Sequence, residues 1–287
     1  MMEWGEPILL RCDFEVGQKR SPAFVCLGFP RYAEERFWTC AFQFQGVGGT
    51  WNGQKDGHVY RVTGYHGLGA LMEASNTIRS RLDGLAGIRS RGTPYEFVFP
   101  RFLPASWWYG IYKWAAEMVA SEIAKQPARQ KMASSADQSA RTTWDQPTLL
   151  DQRFKFTSGR TIAIRLGIPT FMQRRGDWSC AFQLRGVEGS SIKEAFGKNG
   201  LLAVARASDS IRVSLDQIGQ TLPGKDGYEL TFPAHLPTEY GLGFHRRLSR
   251  RIDAELKKRE RRDTEVWEAR AAKFKDILVN LPPAARL

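Results

Sequence analysis

Trp38-Thr39-Cys40-Ala41-Phe42-Gln43 returns later in the chain as Trp178-Ser179-Cys180-Ala181-Phe182-Gln183. The flanking landmarks return with it and in the same order. Leu27-Gly28-Phe29-Pro30 precedes the first phrase, and Leu166-Gly167-Ile168-Pro169 precedes the second. Tyr95-Glu96, Phe99-Pro100 and Leu103-Pro104 follow the first; Tyr228-Glu229, Phe232-Pro233 and Leu236-Pro237 follow the second. One structural unit is therefore written twice. An internal repeat of this kind decides the architecture ahead of any local reading.

Within copy one, Ile8 to Phe14 and Ala23 to Leu27 read as strands, the second ended by Gly28 and Pro30. Trp38 to Phe44 alternates Trp38, Cys40, Phe42 and Phe44 with Thr39, Ala41 and Gln43, the period of a strand with one buried face. His58 to Val62 is expected as a fourth strand. Between Gly67 and Leu85 the period changes: Leu68, Leu71, Ala74, Ser75, Ile78, Leu82 and Leu85 mark one stripe of a helix. Copy two repeats the stripe with Leu201, Val204, Ala207, Ser208, Ile211, Leu215 and Ile218. A short strand is expected at Tyr95–Phe99 and again at 228–232, and proline pairs then break the chain before a last helix.

The expected fold class is α+β, with two tandem copies of an antiparallel sheet plus helices in the order ββββαβα. The copies are expected to be pseudo-twofold related, with a long C-terminal helix on the second. The expected boundaries are residues 1–126 for the first copy, 127–147 for a Ser/Ala/Gln-rich linker, and 148–287 for the second copy with its helix.

The chain has 287 residues, 42% hydrophobic and 12% aromatic, enough for packed cores and against disorder. Apolar runs are far shorter than the ~20 residues of a membrane-spanning helix. The first six residues carry Glu3 and Glu6 where a signal peptide would be basic. A soluble cytoplasmic protein with no membrane partner is expected. Of Cys12, Cys26, Cys40 and Cys180, only the last two share a repeat position, so no disulfide can exist in both copies. Without CxxC or HxxxH spacing, no metal site and no cofactor are expected.

Net charge is +12. Between 243 and 262 there are nine Arg and Lys against three Asp and Glu. Arg246, Arg247, Arg250, Arg251, Lys257, Lys258, Arg259, Arg261 and Arg262 are the candidate partner-binding cations, on a helix expected from Thr238 to about Val279. Such a patch calls for an acidic partner. Glu255 and Arg259 are spaced to pair at i, i+4. Trp107 and Trp108 open an aromatic run ending at Trp114 and join the candidate binding residues, because Trp and Tyr are enriched at interface hot spots. A solvated helix face and core packing are the competing structural explanations for these two features.

Catalytic patterns are missing. There is no G-x-S-x-G elbow, no H-E-x-x-H and no repeated carboxylate pair. None of His58, His66, His235 and His245 recurs in both copies. Gly64-Tyr65-His66-Gly67-Leu68 and Gly197-Lys198-Asn199-Gly200-Leu201 open the equivalent helices. They are read as entry turns in preference to phosphate cradles.

Leu166-Gly167-Ile168-Pro169, Gly176-Asp177-Trp178-Ser179-Cys180-Ala181-Phe182, and Gly197 with the helix Leu201–Leu215 resemble a family of small bacterial domains known only as a domain of unknown function. Copy one departs from that pattern, with Arg36-Phe37 in place of Gly176-Asp177. The resemblance implies a fold and no activity. The expected function is a non-enzymatic protein-binding module, an immunity or antitoxin-type protein that neutralises a bacterial toxin, with an acidic protein as partner. The alternative is a nucleic-acid-binding regulator or defence component using the basic helix. An unrecognised enzyme is the third reading.

Overall fold

The computed structural model describes residues 7–33, 37–48, 50–51, 53–90, 94–103, 109–125, 144–155, 159–187, 191–218, 232, 235–236 and 242–280. Copy one opens with β1 (Ile8–Val16), β2 (Ser21–Gly28), β3 (Arg31–Tyr32) and β4 (Trp38–Gln45). A small hairpin, β5 (Thr50–Trp51) and β6 (Gln54–Lys55), precedes β7 (Val59–Gly64) and helix α1 (Gly67–Asp83). Then come β8 (Arg89–Ser90), α2 (Tyr95–Val98) and α3 (Tyr109–Ala124). Copy two has β9 (Thr148–Lys155), β10 (Thr161–Gly167), β11 (Thr170–Met172), β12 (Asp177–Arg185), β13 (Lys193–Gly197) and α4 (Gly200–Gln217). Helix α5 (Leu242–Asn280) follows.

Each copy is an antiparallel meander with its long helix on one face, so the α+β duplication expected from the sequence is the observed fold. β1 pairs with β2, β2 with β4, and β4 with β7; β9 pairs with β10, β10 with β12, and β12 with β13. Alternation along β4 turns Cys40, Phe42 and Phe44 toward the helix, and β12 does the same with Cys180, Phe182 and Leu184. On α1 the residues at helical spacing (Leu68, Leu71, Ala74, Ile78 and Leu82) are all fully buried, each large one contributing about 1.5–3 kcal/mol.

The copies agree in small geometric detail. From Leu27↔Phe42 to Arg31↔Thr39, four residues on the β2–β3 side oppose three on β4. From Leu166↔Phe182 to Thr170↔Ser179 the count is the same. The extra residue is a bulge, which takes a carbonyl off the ladder. In copy one Cys40 Sγ donates to Gly28 O at 3.4 Å, and in copy two Cys180 Sγ donates to Gly167 O at 3.3 Å. Cysteine suits this place because it is a small apolar side chain that still carries a weak donor. Burial, reinforced by Glu194, pushes the Cys180 thiol above its ordinary range, and burial with nearby Asp13 pushes Cys12 up to about 12. Helix entry also repeats. A Cβ on Gly64 would stand 2.4 Å from the Ala70 amide nitrogen, and one on Gly197 would stand 2.4 Å from that of Ala203.

The two copies join through equivalent surfaces. Gly67, at the start of α1, packs against Trp38 of its own copy and the Leu149 carbonyl of the other. Gly200, at the start of α4, packs against Trp178 of its own copy and Leu9 of the other. Leu9 and Leu149 occupy the same repeat position. An isolated antiparallel bridge joins Phe102 to His235, also equivalent positions, and the Leu236 amide donates to Arg101 O at 2.8 Å. A contact of a position with its own equivalent lies on a local twofold. One apolar cluster consequently runs through both copies, from Leu9, Phe42 and Leu71 to Phe154, Phe182 and Val204.

The chain divides into two compact units at Leu242/Gly243, so both sheets lie in the first, Met1–Leu242. Two local features differ from the sequence-level expectations. Tyr95–Val98 is a helical turn, not a strand: Arg79 Nη1 donates to the carbonyls of Glu96 and Phe99, which requires a curled backbone. The matching 228–231 stretch lies outside the described residues. The β5–β6 hairpin is an insertion of copy one, where thirteen residues separate β4 from β7 against seven between β12 and β13.

Candidate functional site

Helix α5 spans 39 residues, about 58 Å at 1.5 Å per residue. Phe244, His245, Leu248, Ser249 and Ile252 are buried. Past Leu256 the character changes. From Lys257 to Lys273 every residue is exposed except the half-buried Arg259. Val266 is 50% exposed and Trp267 is 74% exposed. The side chains of Phe274 and Leu278 lie outside the described residues.

Of the nine candidate cations, Arg246, Arg247, Arg250, Arg251, Lys257, Lys258, Arg261 and Arg262 are exposed. Arg259 departs from them, since its Nε lies 3.0 Å from Glu255 Oε1. That hydrogen bond holds the Glu255 carboxyl below its ordinary value against an opposing effect of burial, with help from the nearby Lys258, Arg259 and Arg262 charges. Arg250 and Arg261 turn back on the helix, donating to the carbonyls of Arg246 and Lys257. Arg247 lies over the Phe244 ring with its carbon 5.8 Å from the centroid. The helix is thus laced internally at intervals while its charged ends face water.

Trp107 and Trp108 lie outside the described residues. Of the same aromatic run, Trp114 is half-buried, and its α3 neighbours Ala115, Met118 and Val119 are buried. This part of α3 packs inward.

The entry turns are filled by their own caps. His66 Nδ1 accepts from the Gly69 amide at 2.8 Å, and Asn199 Oδ1 at the equivalent position accepts from Leu202 at 2.8 Å. An acceptor imidazole must be neutral, and burial lowers the His66 pKa to about 4. The four cysteines are reduced and buried. Among the described residues no three His, Cys, Asp or Glu are grouped to hold a metal ion. No described helix is long and apolar enough to cross a membrane.

Sequence reading missed one constellation. In copy one, Phe37 and Tyr65 extend the β4–β7 pairing one step past Trp38↔Gly64, and their ring centroids are 5.7 Å apart. Tyr65 is 86% exposed and Phe37 40%. At the same two positions copy two places Asp177 and Lys198, paired at 2.7 Å. The signal was available in an alignment of the two copies, but only the register shows that the positions touch. No family model matches this chain, and no curated protein or solved structure is significantly similar to it.

Proposed function

We propose that this chain is a non-enzymatic protein-binding module of the immunity or antitoxin kind, which neutralises a toxic protein by covering an acidic surface with α5. The observation that carries the reading is the stretch Lys257–Lys273, exposed around almost its whole circumference. A helix gains most of its stability by packing a face, and a polar helix without a packed face commonly bridges to something else. Trp267 supplies the exposed aromatic anchor characteristic of protein interfaces. The charges in this stretch are mixed, seven Arg and Lys against four Asp and Glu, which suits a patterned protein surface better than a uniform polyanion.

The test is co-expression of the full chain with toxic proteins encoded beside it. Growth rescue and co-purification are expected, both lost in Trp267→Ala combined with Arg261→Glu and Arg262→Glu. Failure to rescue and to retain any such protein rejects the reading.

The nucleic-acid reading is favoured by a different observation: nine cations against three acids between 243 and 262, with eight of those cations exposed. It requires duplex binding that weakens steeply with salt and disappears on charge reversal at Arg250, Arg251, Lys257 and Lys258.

A further inference from the structure

The exchange of an ion pair for an aromatic pair at one place in a duplicated fold separates what the fold needs from what it does not. Asp177 and Lys198 satisfy the geometry in copy two. Copy one meets the same geometry with Phe37 and Tyr65, leaving the Tyr65 ring almost wholly in water. The sheet therefore has no structural requirement for these rings. Alternation places them on the side opposite Trp38, away from the face that α1 covers. Tyr32, 64% exposed and edge-on to Trp38 at 5.8 Å, stands at the same end of the sheet.

The charges around the pair also differ between copies. Arg31 pairs in register with Thr39, and Arg61 with Ala41, on the same outer face as Phe37 and Tyr65; both arginines are exposed. Their equivalents in copy two are Thr170 and the buried acid Glu194. On the same face Asp13 pairs with Arg11 at 3.0 Å and Glu15 stands in register with Arg89. Among the described residues only copy one thus combines exposed rings with exposed guanidinium groups at this end of the sheet's outer face.

We infer that the outer face of the first sheet, centred on Phe37 and Tyr65, binds single-stranded nucleic acid. Bases stack on the two rings, and Arg31 and Arg61 meet the phosphates. Stacking is open to any base because each has a π-face, and the cations supply a salt-sensitive term. The inference does not depend on the role of α5.

The test uses the full chain and fluorescein-labelled oligo(U) and oligo(dT) 15-mers, read by anisotropy across a salt series. The key variant is Phe37→Asp with Tyr65→Lys, which installs the pair the fold already holds in copy two. Tyr65→Ala is the second variant, and circular dichroism confirms folding of both. Salt-sensitive binding by the parent chain is expected, weakened roughly a hundredfold by the double exchange and clearly less than that by charge reversal at Lys257, Lys258, Arg261 and Arg262. Absence of binding by the folded parent overturns the inference. So does binding that survives both ring variants, or binding lost only on reversal of the helix charges. Loss of protein-partner capture in the ring variants, with no oligonucleotide binding by the parent, assigns the patch to a protein contact and likewise overturns it.

Discussion

Phe102 and His235 occupy the same position in the two copies and bridge to each other across the local twofold. Around them the symmetry is broken in a compensated way. Asn76 Oδ1 accepts from the Phe102 amide at 3.1 Å, while at the position equivalent to Asn76, Asp209 Oδ2 lies 2.9 Å from His235 Nδ1.

Replacing His235 with Phe alone is expected to cost about 1–3 kcal/mol, because Asp209 loses the nearer of the two groups facing it, the other being Arg212 at 3.7 Å. Adding Asp209→Asn, which copies the Asn76–Phe102 arrangement, is expected to recover most of that loss. Urea denaturation of the two single variants and the double variant measures the coupling. Additive losses would show that the pairing seen at this bridge is not energetically linked.

His66 makes helix entry in copy one sensitive to acid. Its folded pKa, about 4, lies below the ordinary value of 6.5 because the buried imidazole stays neutral. The unfolded chain therefore binds more protons between these values. Stability is complete above pH 6.5, falls as pH drops toward 4, and levels off below. His66→Asn, the residue copy two uses, is expected to keep the cap and flatten this dependence. His66→Ala should lose about 1 kcal/mol of capping at neutral pH. Thermal melts from pH 4 to 7 distinguish the three chains.

A shared core predicts shared unfolding. Phe42 and Phe182 are fully buried in one continuous cluster. Phe42→Ala or Phe182→Ala should cost about 3–5 kcal/mol, and either should lower a single melting transition of the first unit. Calorimetry resolving two transitions, with only one moved by each variant, would contradict the shared core.

Gly64→Ala and Gly197→Ala should be damaging to a similar degree, because each new Cβ meets a backbone nitrogen at 2.4 Å and the helix start must shift. A loss of roughly 1–3 kcal/mol or more is expected. Gly159→Ala meets nothing within 4 Å and carries only the cost of its positive φ of 80°, about 1 kcal/mol. Melting temperatures of the three variants should rank accordingly.

Trp267→Ala should leave stability within about 0.5 kcal/mol, since the ring is mostly in water. A larger loss in a chemical denaturation curve would mean that the exposed turns of α5 are held by the chain itself.

What the sequence determined by itself is the part governed by neighbours along the chain. Repetition of Leu27–Pro30 and Trp38–Gln43 announced a duplication. The period of two along Trp38–Phe44 and of three to four along Leu68–Leu82 placed a strand and a helix, because a residue's face depends only on local backbone geometry. The cations of α5 were likewise legible. Other features depended on groups distant in the chain, and only the tertiary structure decided them. Tyr95–Val98 is curled because Arg79 reaches across to its carbonyls. The two copies merge because Gly67 and Gly200 let each helix start rest against the other copy. Phe37 and Tyr65 form one exposed surface because the β4–β7 register brings together positions 28 residues apart. Periodicity says which way a side chain faces, but only the packed chain says what it meets there.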